Sequence, residues 1–239
     1  MLKQSEIYPQ IVDFLQGSTV GSKWLELTAE FDQAEIYLAG GSLRDLLLGR
    51  KTDPKDLDLF LGGCDTDKIL TRLAAEGRLI RGPFGTPRWF LSETENVYCD
   101  VIPIATFNNG LWPCEDIHDV LNQFDFTANA VAVDLRNGMF FDPQNGRRDL
   151  LAGRMRAVRF DYPDEPISSS VNLTRPAVVW FRILHYAATL GLIIEPVTQS
   201  WLVTHNHYAD QLEEFSAVFF RVDREALAVL QTNGITSAP

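Results

Sequence analysis

Basic residues are in short supply. Lysine and arginine number 21 against 32 aspartates and glutamates, a formal net charge of −11 over 239 residues. Proteins that grip nucleic acid along a broad surface carry a basic excess, because neutralised phosphates supply their affinity. Any nucleic-acid contact here is therefore expected to be local. Cysteine is scarce too: Cys64, Cys99 and Cys114 are widely and irregularly spaced, with no Cys-x-x-Cys. That excludes a disulfide-stapled scaffold and argues against a zinc site. Buried apolar thiols in a reducing cytoplasm are the expectation. The histidines, His118, His185, His205 and His207, show no metal-ligand spacing with carboxylates. No run approaches the roughly 18 apolar residues of a membrane span. The start, Met1 to Gln10, lacks the basic and apolar regions of a secretory signal. A cytoplasmic protein without a membrane partner is expected.

What is present is ample apolar material, 46% of the chain. At about 150 residues per domain this makes one large domain or two small ones, with a core that needs no staples. Residues 5–31 read as amphipathic helix, with Ile7, Ile11, Phe14 and Leu15 on one face and a break at Gly17–Gly21. Glu35–Ala39 is a β-prone run stopped by Gly40-Gly41, after which Ser42 is placed to cap a helix from Leu43 to Leu48 that Gly49 ends. Asp56–Phe60 alternates polar and apolar as a half-buried strand does. Asp67–Glu76 is helical in pattern, whereas Arg88–Leu91, Val97–Ile104, Ala128–Leu135 and Met139–Phe141 are strand-like, with Asn137-Gly138 as a hairpin turn. Residues 161–174 are rich in Pro, Ser and Asp and read as a connector. Arg175–Leu190 and Tyr208–Leu230 then carry helical periodicity, with Trp180, Trp201, Phe215, Phe219 and Phe220 as its core. The expected division is an α/β part over residues 1–158 and a connector with a helical part over 159–239.

The chemistry concentrates in Leu38 to Arg50 and the Asp56-Leu-Asp58 that follows. A Gly-Gly turn between strand and helix lets backbone approach a ligand, and the amides of a helix start favour an anion such as phosphate. In a strand, Asp56 and Asp58 point to one face. Two parallel carboxylates repel unless a cation lies between them, and aspartate oxygens suit Mg²⁺. Asp100 is the only charge among apolar neighbours in its strand, a setting in which acids are rare unless paired or metal-bound. Two acids on one strand and one on a neighbour make a two-metal cage for phosphoryl transfer. For Asp56 and Asp58 a solvated strand face stays open as the plain alternative. Arg44 with Asp45 also reads as a helix-surface pair, Asp125 as a buried cap, and Arg182 as a cation snorkelling from an apolar helix.

The order G-G-S-L-R-D-L-L-L-G-R, then D-L-D, then an acid in a later strand resembles the polymerase-β-like nucleotidyltransferases. Among them it is most similar to the class II tRNA CCA-adding enzymes and bacterial poly(A) polymerases. Further segments fit in order. They are Gly85-Thr86, Asp125-Phe-Thr-Ala-Asn-Ala-Val-Ala, Asp142-Pro-Gln-Asn-Gly-Arg-Arg-Asp-Leu, Arg154-Met-Arg-Ala-Val and Ile183 to Gly191. The resemblance implies a nucleotidyltransferase head with a small mixed sheet flanked by helices, then a short helical neck. It implies that Asp56 and Asp58 bind the catalytic metals and that Asp100 helps activate the attacking hydroxyl. By the same resemblance, Gly40, Gly41 and Ser42 hold the β- and γ-phosphates with Arg44 nearby, Asp125 lies by the ribose, and Arg182 faces the cleft.

The pattern departs in three places. Gln123 and Phe124 stand where the family has two arginines before D-F-T. Val179, His185 and Thr189 replace neck residues, and Asp223-Arg224-Glu225 is the nearest approach to a nucleotide-choosing motif. The body and tail that hold tRNA are also expected to be missing. A minimal, Mg²⁺-dependent nucleotidyltransferase is thus expected, moving a nucleotide from an NTP to an RNA 3′ end that is held by a small local contact or by a partner protein. Two readings remain beside it: transfer to a protein or small molecule, and a non-catalytic nucleotide-binding partner module.

Overall fold

The computed structural model describes residues 4–50, 56–63, 65–82, 85–92, 97–168 and 171–222. Cys64, Asp223-Arg224-Glu225 and the end of the expected Tyr208–Leu230 helix lie outside them. The chain forms two compact units, one of residues 1–123 and 129–144 and the other of 124–128 and 145–239.

In the first unit, α1 (Gln4–Gln16) and α2 (Thr19–Thr28) are separated within the expected break at Gly17–Gly21. Ser18 makes the break: its backbone is extended and its hydroxyl accepts from the Gly21 amide, capping α2. Ile7, Ile11 and Leu15 are buried, as their spacing dictates. There follow β1 (Glu35–Ala39), α3 (Gly40–Leu47), β2 (Asp56–Gly62), α4 (Thr66–Glu76), β3 (Arg78–Arg81), β4 (Pro87–Phe90) and β5 (Tyr98–Pro103). The unit closes with α5 (Ile117–Leu121), β6 (Ala132–Asp134) and β7 (Phe140–Phe141). The strands make one mixed sheet in the order β3-β4-β5-β2-β1-β6-β7, in which β2 and β5 run parallel.

Leu57, Leu59 and Leu61 of β2, with Cys99 and Val101 of β5, are buried on one face. Trp89 joins them from β4, meets Trp24 of α2 edge-on at 6.4 Å and donates to the Leu73 carbonyl of α4. Each fully buried side chain of this size is worth about 1.5–3 kcal/mol. The opposite face of β2 changes character along the strand: Asp56 and Asp58 are half-buried, while Phe60 is covered by Phe107 at 5.4 Å. Burial pushes the Cys99 thiol well up, and chiefly burial takes that of Cys114 to about 11, which disfavours the thiolate at both.

The second unit contains α6 (Gly146–Leu151), β8 (Arg154–Met155), β9 (Pro166–Ser168), β10 (Val171–Thr174), α7 (Arg175–Leu190), β11 (Ile193–Ile194), α8 (Pro196–Thr204) and α9 (Leu212–Val218). The expected connector is a β9–β10 antiparallel pair. Helix α7 has the expected limits because Pro176 suits its first turn and Gly191, at φ +67°, ends it. Trp180, Phe181 and Phe215 are buried, with Phe181 and Phe215 4.7 Å apart. The Tyr208–Leu230 pattern yields a 3-10 turn at Asn206–Gln211 and then α9. Residues 124–128 and 145–158 cluster with this unit, since Phe126 bridges Ala157 and the Thr127 amide donates to the Arg156 carbonyl.

Glu195 caps α8, accepting from the Thr198 amide at 3.0 Å. Partial burial raises its pKa, but bonds from the Thr198 and Val197 amides outweigh that and leave it below the usual 4.5. A lowered native pKa gives stability that is complete above the unfolded value and lost as pH falls through the native one. Glu195→Gln is expected to cost about 0.5–1 kcal/mol at pH 7, because the side chain is partly solvated. The difference should shrink toward zero as urea midpoints are followed below pH 4.5.

Candidate active site

The centre of the site is a row of residues that strand pairing places side by side. Asp58 of β2 is in register with Asp100 of β5, and Asp100 with Arg88 of β4, while on its other side Asp58 opposes Ala39 at the end of β1. Paired residues share a sheet face, so Arg88, Asp100 and Asp58 align across three strands. Asp56 lies two residues along β2, in register with Tyr98, whose hydroxyl donates to Asp56 Oδ2 at 3.3 Å.

Asp100 is engaged. Arg88 Nε donates to its Oδ1 at 2.8 Å and Nη2 to its Oδ2 at 3.1 Å, a bidentate pair. The guanidinium lies 4.0 Å from the centre of the Tyr98 ring, within cation–π range. Burial pushes the Asp100 carboxyl above its ordinary value, with the Asp56 charge adding to this and Arg88 opposing it. Burial works against the Arg88 charge as well, yet the bonds and charge of Asp100 hold the guanidinium above its ordinary pKa. Burial first, and then the Asp56 charge, push the Tyr98 phenol up, so it remains a donor to Asp56.

The glycine turn is fixed by Asp58. Gly40 has φ +73°, and a methyl group on it would collide with Asp58 Oδ2. Only glycine meets both demands. Ser42 is not the cap of α3: the helix begins at Gly40 with Ala39 as its N-cap residue, and no side chain caps that end. The Ser42 hydroxyl instead donates to the Asp56 carbonyl at 2.7 Å, tying α3 to the start of β2. Arg44 is only 5% exposed. Its guanidinium donates to both oxygens of Asp45 and to Asn129 Oδ1, and Nη2 sits 3.5 Å from where a Gly41 side chain would begin. It is thus a buried residue packed behind the turn rather than half of a surface pair.

In the second unit, Arg182 Nε donates to Asp125 Oδ2 at 2.6 Å, and Asp125 Oδ1 accepts from the Phe126 amide. Arg182 therefore does not merely snorkel. Three of the ordered segments meet here through Asp149, a residue sequence reasoning left without a role. It accepts from Thr127 Oγ1 at 2.8 Å and from Arg156 Nε at 2.9 Å while almost wholly buried. Gln123, in the first unit, is 4% exposed and donates to Cys114 Sγ and the Trp112 carbonyl, so its amide is committed to packing.

The donor set decides what the site would hold. Asp56 and Asp58 share one face and offer hard oxygens suited to a divalent cation. Among the described residues no three histidine, cysteine or acidic side chains gather closely enough to hold a metal ion. Asp100, expected as the third carboxylate, is paired with Arg88. Arg88 and Tyr98 were missed as members of the site. The signal was a charged residue at the head of an alternating strand, Pro87-Arg-Trp-Phe90, but its register against β5 is not local information.

No protein-family model matches the chain. It is 32% identical over 180 residues to the multifunctional CCA protein of Xanthomonas oryzae pv. oryzae, covering 69% of this chain and 38% of that protein. It is 33% identical over 123 residues to the CC-adding tRNA nucleotidyltransferase of Halalkalibacterium halodurans, covering 52% and 28%. The chain thus spans less than two thirds of the length of these curated relatives. Among solved structures, the Thermotoga maritima CCA-adding enzyme complexed with tRNA superposes with a TM-score of 0.66 at 19% identity, over 98% of this chain and 54% of that one. A tRNA nucleotidyltransferase with a primer tRNA and an incoming ATP analogue gives 0.62 at 21%, over 87% and 60%. In fold the chain is a mixed α/β protein of the CCA-adding enzyme type, and in sequence it resembles the nucleotidyltransferase head of those enzymes.

Proposed function

We propose that this chain is a metal-dependent, template-independent nucleotidyltransferase that moves a nucleotide from an NTP to an acceptor hydroxyl, with release of pyrophosphate. The acceptor is an RNA 3′ end. The observation that carries the reading is the pair Asp56–Asp58, set on one face of β2 against a turn where Asp58 itself excludes any side chain at Gly40. A carboxylate pair pressed against a glycine turn at a helix start suits a cation beside a triphosphate.

Asp56 and Asp58 would hold Mg²⁺, which when bound offsets charge on the phosphoryl oxygens. The remaining work is positioning. Gly40 and Gly41 bring the α3 amides, which a helix start leaves without intrahelical partners, up to the β- and γ-phosphates. Arg44 adds positive charge behind that turn, and Ser42 fixes the strand that carries both aspartates. The net charge of −11 is consistent with a short RNA contact, or one completed by a partner protein.

The test is incubation with each α-³²P-labelled NTP, Mg²⁺ and total RNA. Label on RNA is expected. Label on protein would move the acceptor to a side chain, and absence of label with all four nucleotides would overturn the reading.

A further inference from the structure

The Arg88–Asp100 pair leads further. We propose that Arg88 takes the place of one cation: Asp100 anchors Arg88 rather than a metal ion, and the site accepts a single divalent cation, on Asp56 and Asp58. This rests on the nucleotidyltransferase reading and deepens it.

Three observations support it. Both oxygens of Asp100 already accept from Arg88, at 2.8 and 3.1 Å. Ligation of a metal by Asp100 would break a bidentate, charge-assisted pair and leave a half-buried guanidinium without its counter-ion. Arg88 is also held from a second side by the Tyr98 ring at 4.0 Å, and Tyr98 in turn donates to Asp56. The guanidinium is thus built into the carboxylate row rather than resting on it. Finally, Nε and Nη2 serve Asp100, the Arg88 side chain is 22% exposed, and among the described residues nothing accepts from Nη1. A planar cation with an unused donor is suited to a phosphoryl oxygen, as arginines are in other phosphoryl transfers.

The charge arithmetic agrees. Among the described residues of the row, Asp56, Asp58 and Asp100 sum to −3 and Arg88 returns +1, so one divalent cation balances these four. A second cation would leave the row positive before any nucleotide arrives.

The test counts Mn²⁺ bound to the full chain, from the EPR signal of the free ion, with near-UV circular dichroism confirming the fold of each variant. The wild type should bind one ion per chain, Asp100→Asn should still bind one, and Arg88→Gln, with Asp100 released, should bind two. Asp56→Asn with Asp58→Asn should bind none. Two ions on the wild type, loss of the ion in Asp100→Asn, or one ion in a folded Arg88→Gln would overturn the proposal while leaving the metal pair standing. If Arg88→Gln does not fold, the Asp100→Asn count decides alone. No ion on the wild type, or an undiminished count in the double asparagine variant, would overturn the underlying metal reading itself.

Discussion

Replacing Asp56 and Asp58 together by asparagine is expected to lower nucleotide transfer by about 10³-fold or more, on the order of 4 kcal/mol of transition-state stabilisation. The two side chains contribute the cation's only proposed protein oxygens, and among the described residues Asp100 does not replace them, since it is bound to Arg88. The fold should survive. Two like charges on one strand face oppose folding when no cation lies between them, so the thermal midpoint in EDTA should hold or rise. A single-turnover assay beside a melting curve separates the two effects. A variant that loses activity only by unfolding would not distinguish catalysis from structure, whereas an inactive, more stable one assigns the carboxylates to chemistry.

Gly40→Ala should have the next largest effect, by a different route. At φ +73° an L-residue costs about 1–2 kcal/mol. The added methyl also occupies the space of Asp58 Oδ2, so the carboxylate must turn away or the turn must shift. Displacement on the order of 1 Å in a positioned group costs about 10²-fold in rate. Gly49→Ala is the matched control: its φ is +68°, but nothing lies within 4 Å of the new carbon. Gly40→Ala should lose at least as much stability as Gly49→Ala in urea titrations, and only Gly40→Ala should lose transfer activity. Equal activity in the two would mean that the approach of the turn to Asp58 is unimportant.

Much of the fold could be read from local pattern. The alternation in Asp56-Leu-Asp-Leu gave β2 its faces, and Pro176 with Gly191 bounded α7 to the residue, because caps and strand parity act over a few positions. The β9–β10 pair was hidden in a stretch rich in Pro, Ser and Asp, where turn composition masks short strands. The site divided along the same line. The shared strand face of Asp56 and Asp58 is legible from their spacing, whereas the contact of Asp58 with the Gly40 turn comes from the pairing of β2 with β1. The environment of Asp100 is not legible either, because an isolated acid in an apolar strand reads equally as a metal ligand or as half of an ion pair. Only the antiparallel register of β4 on β5 brings Arg88 to it. Ser42 shows the converse. Its residue type fits a cap, but the helix begins two residues earlier and the hydroxyl turns to the Asp56 carbonyl.

The central claim, that the chain moves a nucleotide rather than a phosphate or nothing at all, is tested most directly by the fate of two labels in one reaction. NTP carrying ³²P at the α-phosphate should deliver label to the acceptor, and NTP labelled at the γ-phosphate should deliver it to released pyrophosphate. Label passing from the γ-phosphate to the acceptor, or recovery of both nucleotides intact, would contradict it.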